Sequence, residues 1–171
     1  FGLVGLGVMG RNFILNVAEN GFSSIGLSSN QDAIDLLKSD GKSYKVDGTL
    51  DDKDFVLRLK RPRKIMLLVP AGNPVDSVIE RFLPYLEDGD IIIDGGNSHF
   101  DDTDRRYKFL KGKSINFIGA GVSGGSKGAR IGPSIMPGCD KDIYDEIKPI
   151  FEAASAKVNG DPCVTYLGNT Y

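Results

Sequence analysis

The sequence predicts an α/β fold, a doubly wound and mostly parallel sheet in a single domain spanning residues 1–171, and two observations carry that reading. Short apolar runs of strand length alternate along the chain with longer stretches whose apolar residues recur at helical spacing. Strands and helices in alternation build a parallel sheet covered on both faces. The second observation is the opening stretch, Phe1-Gly-Leu-Val-Gly-Leu-Gly-Val-Met-Gly-Arg11. Its apolar run meets glycines at Gly5, Gly7 and Gly10, and a helical pattern follows at once. Strand, G-x-G-x-x-G and helix in immediate succession form a dinucleotide-binding fingerprint in the context that gives it meaning.

The first helix carries Phe13, Ile14, Val17 and Ala18 on one face and ends at Gly21. Gly5 permits a tight turn, Gly7 lets backbone approach a pyrophosphate, and Gly10 lets helix and strand pack closely. The helix N-terminus offers unpaired N–H groups and a partial positive charge to the anion. Residues 23–27 read as the second strand, and 31–39 as a helix through Ile34 and Leu37 that stops before Gly41. A brief extended piece is expected at 44–46. Residues 51–60 begin with acids and end with bases, which suits a helix dipole at both ends. The uninterrupted apolar run at 64–69 is a strand covered on both faces.

Val75, Val78, Ile79, Phe82 and Leu86 place a helix at 74–86, with Pro74 tolerable in the first turn and Pro84 expected to kink or end it. Residues 90–94 form another buried strand, closed by Gly95-Gly96-Asn97. A charged surface helix is expected at 101–111 and a strand at 116–120. The loop Gly121-Val-Ser-Gly-Gly125 and a turn at Gly128-Ala-Arg130 follow. Ile143, Ile147, Ile150 and Phe151 mark a helix at 140–154, and 163–167 reads as a closing strand. Ligands of such sheets bind beyond the carboxyl ends of the strands, where the strand order switches. Four glycine-rich loops each follow a predicted strand: Gly5–Gly10, Ala71-Gly72, Gly95-Gly96-Asn97 and Ser123-Gly124-Gly125. Together they predict a ligand cleft on one edge.

Bulk properties narrow the partners. A length of 171 residues supports one core, and a net charge of −2 without a basic stripe argues against nucleic acid. No apolar run reaches the length of a membrane span. Cys139 and Cys163 lie far apart, with no CxxC spacing and no histidine nearby. Reduced thiols in a reducing compartment are expected, and no metal site. The chain starts at Phe1 without a methionine, so the reading leaves room for a removed leader or preceding residues.

Several segments taken together resemble the N-terminal coenzyme domain of the 6-phosphogluconate dehydrogenases. They are Gly2-Leu-Val-Gly-Leu-Gly-Val-Met-Gly10, Lys60-Arg-Pro-Arg-Lys64, Asp90-Ile-Ile-Ile-Asp-Gly-Gly-Asn-Ser-His-Phe100, Gly121-Val-Ser-Gly-Gly125, Gly128-Ala-Arg130, Gly132-Pro-Ser134, Met136-Pro-Gly138 and Asp161-Pro-Cys-Val-Thr-Tyr166. The resemblance implies a domain that binds NADP, followed in that family by a large helical domain that completes the active site. The family oxidises and decarboxylates 6-phosphogluconate to ribulose 5-phosphate. It further implies that Gly5, Gly7, Val8, Met9 and Gly10 meet the coenzyme, with Ser28, Ser29 and Asn30 at its ribose and Val69 and Ala71 alongside. Asn97 would lie near nicotinamide and substrate, and Ser123, Gly124 and Gly125 would hold the substrate. The family occurs in cytoplasm and plastid stroma, and the compartment stays open.

Three departures from the family pattern stand out. Its second strand ends in Asn-Arg-Thr, whose arginine grips the 2′-phosphate of NADP; here Ser28-Ser29-Asn30 bring no cation, and the one acid close by is Asp32. Its Val-Lys-Ala-Gly loop is Val69-Pro-Ala-Gly72, where Pro70 brings neither a cation nor an N–H. Its catalytic lysine, and its acid glutamate with the His-Asn pair, fall beyond Tyr171. Ser126-Lys127 replaces an acidic pair, and Lys127, expected in a loop, is no substitute base. His99 reads as a surface residue and Arg11 as an exposed helix residue. The expectation is therefore a chain without catalytic residues, with NADP bound weakly or no coenzyme at all. Its role would be that of a structural or interaction subunit, with other protein chains covering the face that the helical domain vacates. The alternatives are the NADP-binding part of an active dehydrogenase, and a coenzyme sensor without chemistry.

Overall fold

The computed structural model describes residues 1–169, so the last two positions of the expected 1–171 domain lie outside it. Seven strands form one sheet in the order β3-β2-β1-β4-β5-β6-β7. They are β1 (Gly2–Val4), β2 (Ser24–Leu27), β3 (Val46–Thr49), β4 (Lys64–Leu67), β5 (Ile91–Asp94), β6 (Asn116–Ser123) and β7 (Ser134–Gly138). All neighbours are parallel except β6 and β7, which run antiparallel from Gly119 opposite Gly138 to Ser123 opposite Ser134. The chain winds outward from β1 to β3, then returns to β4 beside β1. The strand order therefore reverses at the β1–β4 pair, and the Gly5–Gly10 turn leaves β1 there, as expected.

Among the described residues seven helices cover the sheet: α1 (Val8–Glu19), α2 (Gln31–Asp40), α3 (Asp52–Leu57), α4 (Asn73–Phe82), α5 (Phe100–Lys111), α6 (Gly125–Ile131) and α7 (Lys141–Ala154). Period-2 alternation divides the strand residues between two cores. Leu3, Met66, Ile91, Ile93 and Ile118 pack with Phe13 and Ile14 of α1, Ile34 of α2 and Ile147 of α7. Val4, Ile65, Leu67, Ile92 and Phe117 pack on the other side with Phe55 of α3, Phe82 of α4 and Leu110 of α5. Two covered faces explain why β4 and β5 read as unbroken apolar runs.

Most expected elements appear within a few residues of their anticipated bounds. Pro84 lies just past α4 and ends that helix instead of kinking it. The extended piece expected at 44–46 falls at Val46–Thr49, because pairing with β2 sets the register through Ile25 opposite Asp47. Three readings need correction on the far side of the sheet. The strand expected at 116–120 runs on to Ser123, because its second half pairs with β7, which the sequence pattern did not reveal. The turn expected at Gly128-Ala-Arg130 is helical, inside α6, and so is Lys127. Residues 163–167 form no named strand. They lie extended along β7, with bonds from Ile135 N–H to the Cys163 carbonyl (3.0 Å) and from Leu167 N–H to that of Pro137 (2.9 Å). Ahead of them a two-residue pair, β8 (Lys157–Val158) and β9 (Asp161–Pro162), makes a small hairpin.

A buried side chain ties the first helix to the far half of the fold. Asn16 of α1 is 5% exposed. Its amide donates to the Ala129 carbonyl (3.0 Å) in α6 and to that of Ala154 (2.7 Å) at the end of α7. Asn12, one turn earlier, donates to the Ser126 carbonyl (3.0 Å). The fingerprint helix and the helix that follows Ser123-Gly124 are thus bonded together.

Candidate functional site: a cleft at the strand-order switch

Gly5 has φ 97°, and a Cβ there would come within 2.4 Å of the Leu68 carbonyl oxygen. Only glycine makes this turn. A Cβ on Gly10 would sit 1.9 Å from the Gly5 carbonyl oxygen, so this glycine is what lets α1 begin against the end of β1. Gly7 differs from both. Its Cβ would meet nothing within 4 Å, and the space above it is open to a ligand. Gly7 caps α1 without a side-chain hydrogen bond, and no acid occupies the first turn. The first helical bond inside that turn is donated by Arg11, to the Gly7 carbonyl (2.9 Å). The N–H groups of Val8, Met9 and Gly10 therefore have no helical acceptor and face outward at the positive end of the dipole.

A cleft of about 780 Å³ opens beside this turn. Val4, Gly5, Leu6 and Gly7 form its floor. One wall is Leu27, Ser28 and Ser29 with Leu50, Asp51, Asp52 and Lys53 from the β3–α3 connection. The other is Val69 and Pro70 with Pro74, Ser77, Val78 and Arg81 of α4, and Tyr85 beyond it. Of the expected coenzyme residues the cleft gathers Gly5, Gly7, Ser28, Ser29 and Val69. Val8, Met9 and Gly10 follow at the start of α1, and Ala71 is exposed on the loop after Pro70. Asn30 is turned to local work, its Oδ1 accepting from Asp32 N–H (2.8 Å) to cap α2, while the Ser28 hydroxyl accepts from Asn30 N–H (3.1 Å).

Asn97 lies on the same sheet edge after β5, in the left-handed region at φ 60°. It borders a second cavity of about 330 Å³ with Ser98, Phe100, Gly121 and Met136. Ser123, Gly124 and Gly125 are exposed where β6 gives way to α6, lining neither cavity, and both glycines have positive φ. The four glycine-rich loops do share one edge, since β1, β4, β5 and β6 all run parallel into them.

The sequence reading missed the β3–α3 wall and the α4 residues Ser77 and Arg81. Periodicity places Asp51–Lys53 at a helix start, but only the β2–β3 pairing carries that start to Ser28 and Ser29. Charge in the cleft is largely spoken for. Arg81 Nε donates to Asp52 (2.8 Å), and Asp51 accepts from Asp54 N–H (2.7 Å) to cap α3. Lys53 is exposed. Asp32 is exposed in the first turn of α2 and does not line the cleft.

His99 is exposed and caps α5, and Lys127 is exposed on α6. Arg11 pairs with Asp40 (3.2 Å), drawn away from the fingerprint turn. Both cysteines are free, and burial, aided by Asp140, pushes the Cys139 thiol up to about 12. Among the described residues no cluster of three or more His, Cys, Asp or Glu side chains is placed to hold a metal. Among them, too, no helix is long and apolar enough to cross a membrane.

Comparison with known proteins agrees with this geometry. A family model described as the NAD binding domain of 6-phosphogluconate dehydrogenase matches residues 1–168. A decarboxylating 6-phosphogluconate dehydrogenase of Saccharomyces cerevisiae is 52% identical over 98% of this chain and 35% of its own length. The NAD(+)-dependent decarboxylating enzyme of Bacillus subtilis is 50% identical over 98% of this chain and 36% of its own. The chain thus spans about a third of the length of the curated relatives it matches. Among solved structures, Plasmodium falciparum 6-phosphogluconate dehydrogenase, studied apo, with NADP+ and with its substrate, superposes at a TM-score of 0.94 with 41% identity. That match covers 99% of this chain and 37% of the other. A 3-hydroxyisobutyrate dehydrogenase of Salmonella typhimurium, at 20% identity and a TM-score of 0.83 over 99% of this chain and 56% of that one, shares the fold alone. A turn built for a dinucleotide, at the switch point of this sheet and matched along nearly its whole length, places the chain in the 6-phosphogluconate dehydrogenase family, of which it carries the NAD-binding domain.

Proposed function

We propose that the chain is the coenzyme-binding part of a decarboxylating 6-phosphogluconate dehydrogenase. The observation that carries this is the start of α1: an uncapped helix N-terminus, an open position above Gly7, and a cleft beside it large enough for an adenosine. In this reading the pyrophosphate sits on the N–H groups of Val8, Met9 and Gly10. Ser28, Ser29 and the α4 wall would hold the adenosine, and Asn97 would stand toward the nicotinamide. Asn97 and the Ser123-Gly124-Gly125 loop then receive the substrate. A coenzyme held here would supply the hydride acceptor for oxidation of the substrate.

The comparisons favour this reading over a scaffold without coenzyme. Relatives of about 50% identity are named as dehydrogenases, and one is named as NAD(+)-dependent, so the relatives include an enzyme whose coenzyme has no 2′-phosphate. The finer reading of the coenzyme is NAD(P) with little preference for the phosphorylated form. Val8, at the start of α1, and Ile131, at the end of α6, are 61% and 70% exposed, and in this reading other parts of the dehydrogenase would cover them.

Fluorescence titration with NADH and NADPH tests the coenzyme site, and reduced-coenzyme formation with 6-phosphogluconate tests the reaction in the protein that carries this chain. Saturable binding of either dinucleotide with turnover is expected. Absence of binding by both would remove the proposal. Binding without turnover would leave the coenzyme site and remove the dehydrogenase.

A further inference from the structure

Arg106, on α5, is the largest fully buried side chain among the described residues, 1% exposed. Burying a guanidinium is costly unless each of its donors finds an acceptor. All five do. Nε donates to Asp76 Oδ1 (2.9 Å), and one Nη2 bond goes to Asp76 Oδ2 (3.0 Å). The other Nη2 bond reaches the Gly72 carbonyl (3.0 Å). Nη1 donates to Asp94 Oδ2 (3.2 Å) and to the Ser98 hydroxyl oxygen (2.9 Å). These acceptors belong to two different loops. Gly72 and Asp76 begin α4, the helix whose Pro74, Ser77 and Val78 wall the cleft. Asp94 and Ser98 bracket Gly95-Gly96-Asn97.

The second loop is closed on itself through the same carboxylate. Asp94 Oδ1 accepts from Gly96 N–H (3.0 Å) and Oδ2 from the Ser98 hydroxyl (2.6 Å). The two loops also touch: a Cβ on Gly96 would come within 2.5 Å of the Val69 carbonyl oxygen. Asn97 is held at φ 60° at the apex of this arrangement, a conformation that needs its surroundings to hold it. Arg106 thus takes its five bonds from both sides of the junction that fixes where Asn97 stands. The guanidinium, with Arg105 helping, holds the Asp76 carboxyl down at about 2, so the brace stays charged across the neutral range.

We infer that Arg106 is a positioning residue of the coenzyme site, acting through Ser98 and Gly72 to hold the Asn97 loop against the α4 wall. Lysine cannot replace it, because one ammonium group cannot span both loops with a fixed planar fork. The inference rests on the proposed coenzyme function for its consequence, and on the bond network alone for its geometry.

The test uses R106K and S98A, with R105Q and R63K as comparisons. Arg105 also reaches Asp76 (2.9 Å) but is half-exposed and touches neither Asp94 nor Ser98. Arg63 is as good as buried, at 4% exposed, but binds Asp90 and Glu87 at the opposite ends of the strands. R106K is expected to weaken NADH and NADPH binding roughly tenfold, and S98A severalfold. Both should move the backbone amide signals of Gly96 and Asn97 in two-dimensional NMR. R63K should lower the melting temperature while leaving affinity within about twofold, and R105Q should change neither appreciably. If R63K weakens binding as much as R106K does, the effect is general loosening and the inference fails. Should R106K not fold, S98A decides: unchanged affinity and unchanged Asn97 signals would overturn the inference. Should the unaltered protein bind neither dinucleotide, the proposed function falls, and the Asn97 signal in S98A still decides the geometry.

Discussion

Ser29 shows how much a single side chain decides here. It stands exposed on the cleft wall at the tip of β2, where the family pattern carries an arginine. Asn30 caps α2 and Arg81 is bonded to Asp52, which leaves Lys53, exposed on the same wall, as the cation that lines the cleft beside it. S29R is therefore expected to favour NADP over NAD by a further tenfold to hundredfold, the effect of a charged hydrogen bond of about 1.5–3 kcal/mol. Parallel titrations of the two reduced coenzymes on S29R and the unaltered protein measure it, and an unchanged ratio would show that position 29 does not meet the 2′ position. This departure was legible in the sequence because β2 ends in a short, recognisable segment. The facing residues Asp51–Lys53 were not legible as part of the site. They lie about twenty residues on, and only the pairing of β2 with β3 brings them near.

At the scale of elements, the β1–α1 unit separates the two uses of glycine. Gly10 is required by the fold: in G10A the new methyl would collide with the Gly5 backbone carbonyl at 1.9 Å, and neither group can swing aside. We expect a loss of stability of about 3 kcal/mol or more, read from the urea midpoint, with binding lost as well. Gly7 is free of such contacts and has φ −64°, open to any residue. G7A should keep stability within about 1 kcal/mol and lose affinity, because its methyl occupies the place of the pyrophosphate. Equal destabilisation by the two substitutions would contradict this division. The sequence displayed this unit clearly, since strand, glycines and helix are contiguous. It concealed β7 and α6, where Gly128 looks like a turn residue. There the antiparallel partner of β6 and the Asn16 anchor in α1 decide the structure, and both are distant in sequence.

For the molecule as a whole, coenzyme binding and folding are linked. A ligand that binds only the folded form at about one hundred times its Kd adds about 2.7 kcal/mol. For a chain of this size that raises the melting temperature by about 5–10 °C. Calorimetry with saturating NADH or NADPH should show that shift, and a melting temperature indifferent to both would speak against a dinucleotide site. The overall architecture was readable because alternating strand and helix patterns admit few topologies, whereas at the far edge residues 163–167 read as the closing strand, since nothing in the pattern marked β7 as the partner of β6. Its course along β7 has a further result. Cys163 and Pro137 engage Ile135 and Leu167 through main-chain bonds, as do Gly168 with Cys139 N–H (2.9 Å) and Ile135 with Thr165 N–H (3.0 Å). An edge occupied in this way withholds the β7 ladder from a passing strand, and the opposite edge, β3, carries Asp47 bonded to Lys38 and Arg58. Charge on one border and a strap on the other are two devices by which sheets discourage the addition of foreign strands.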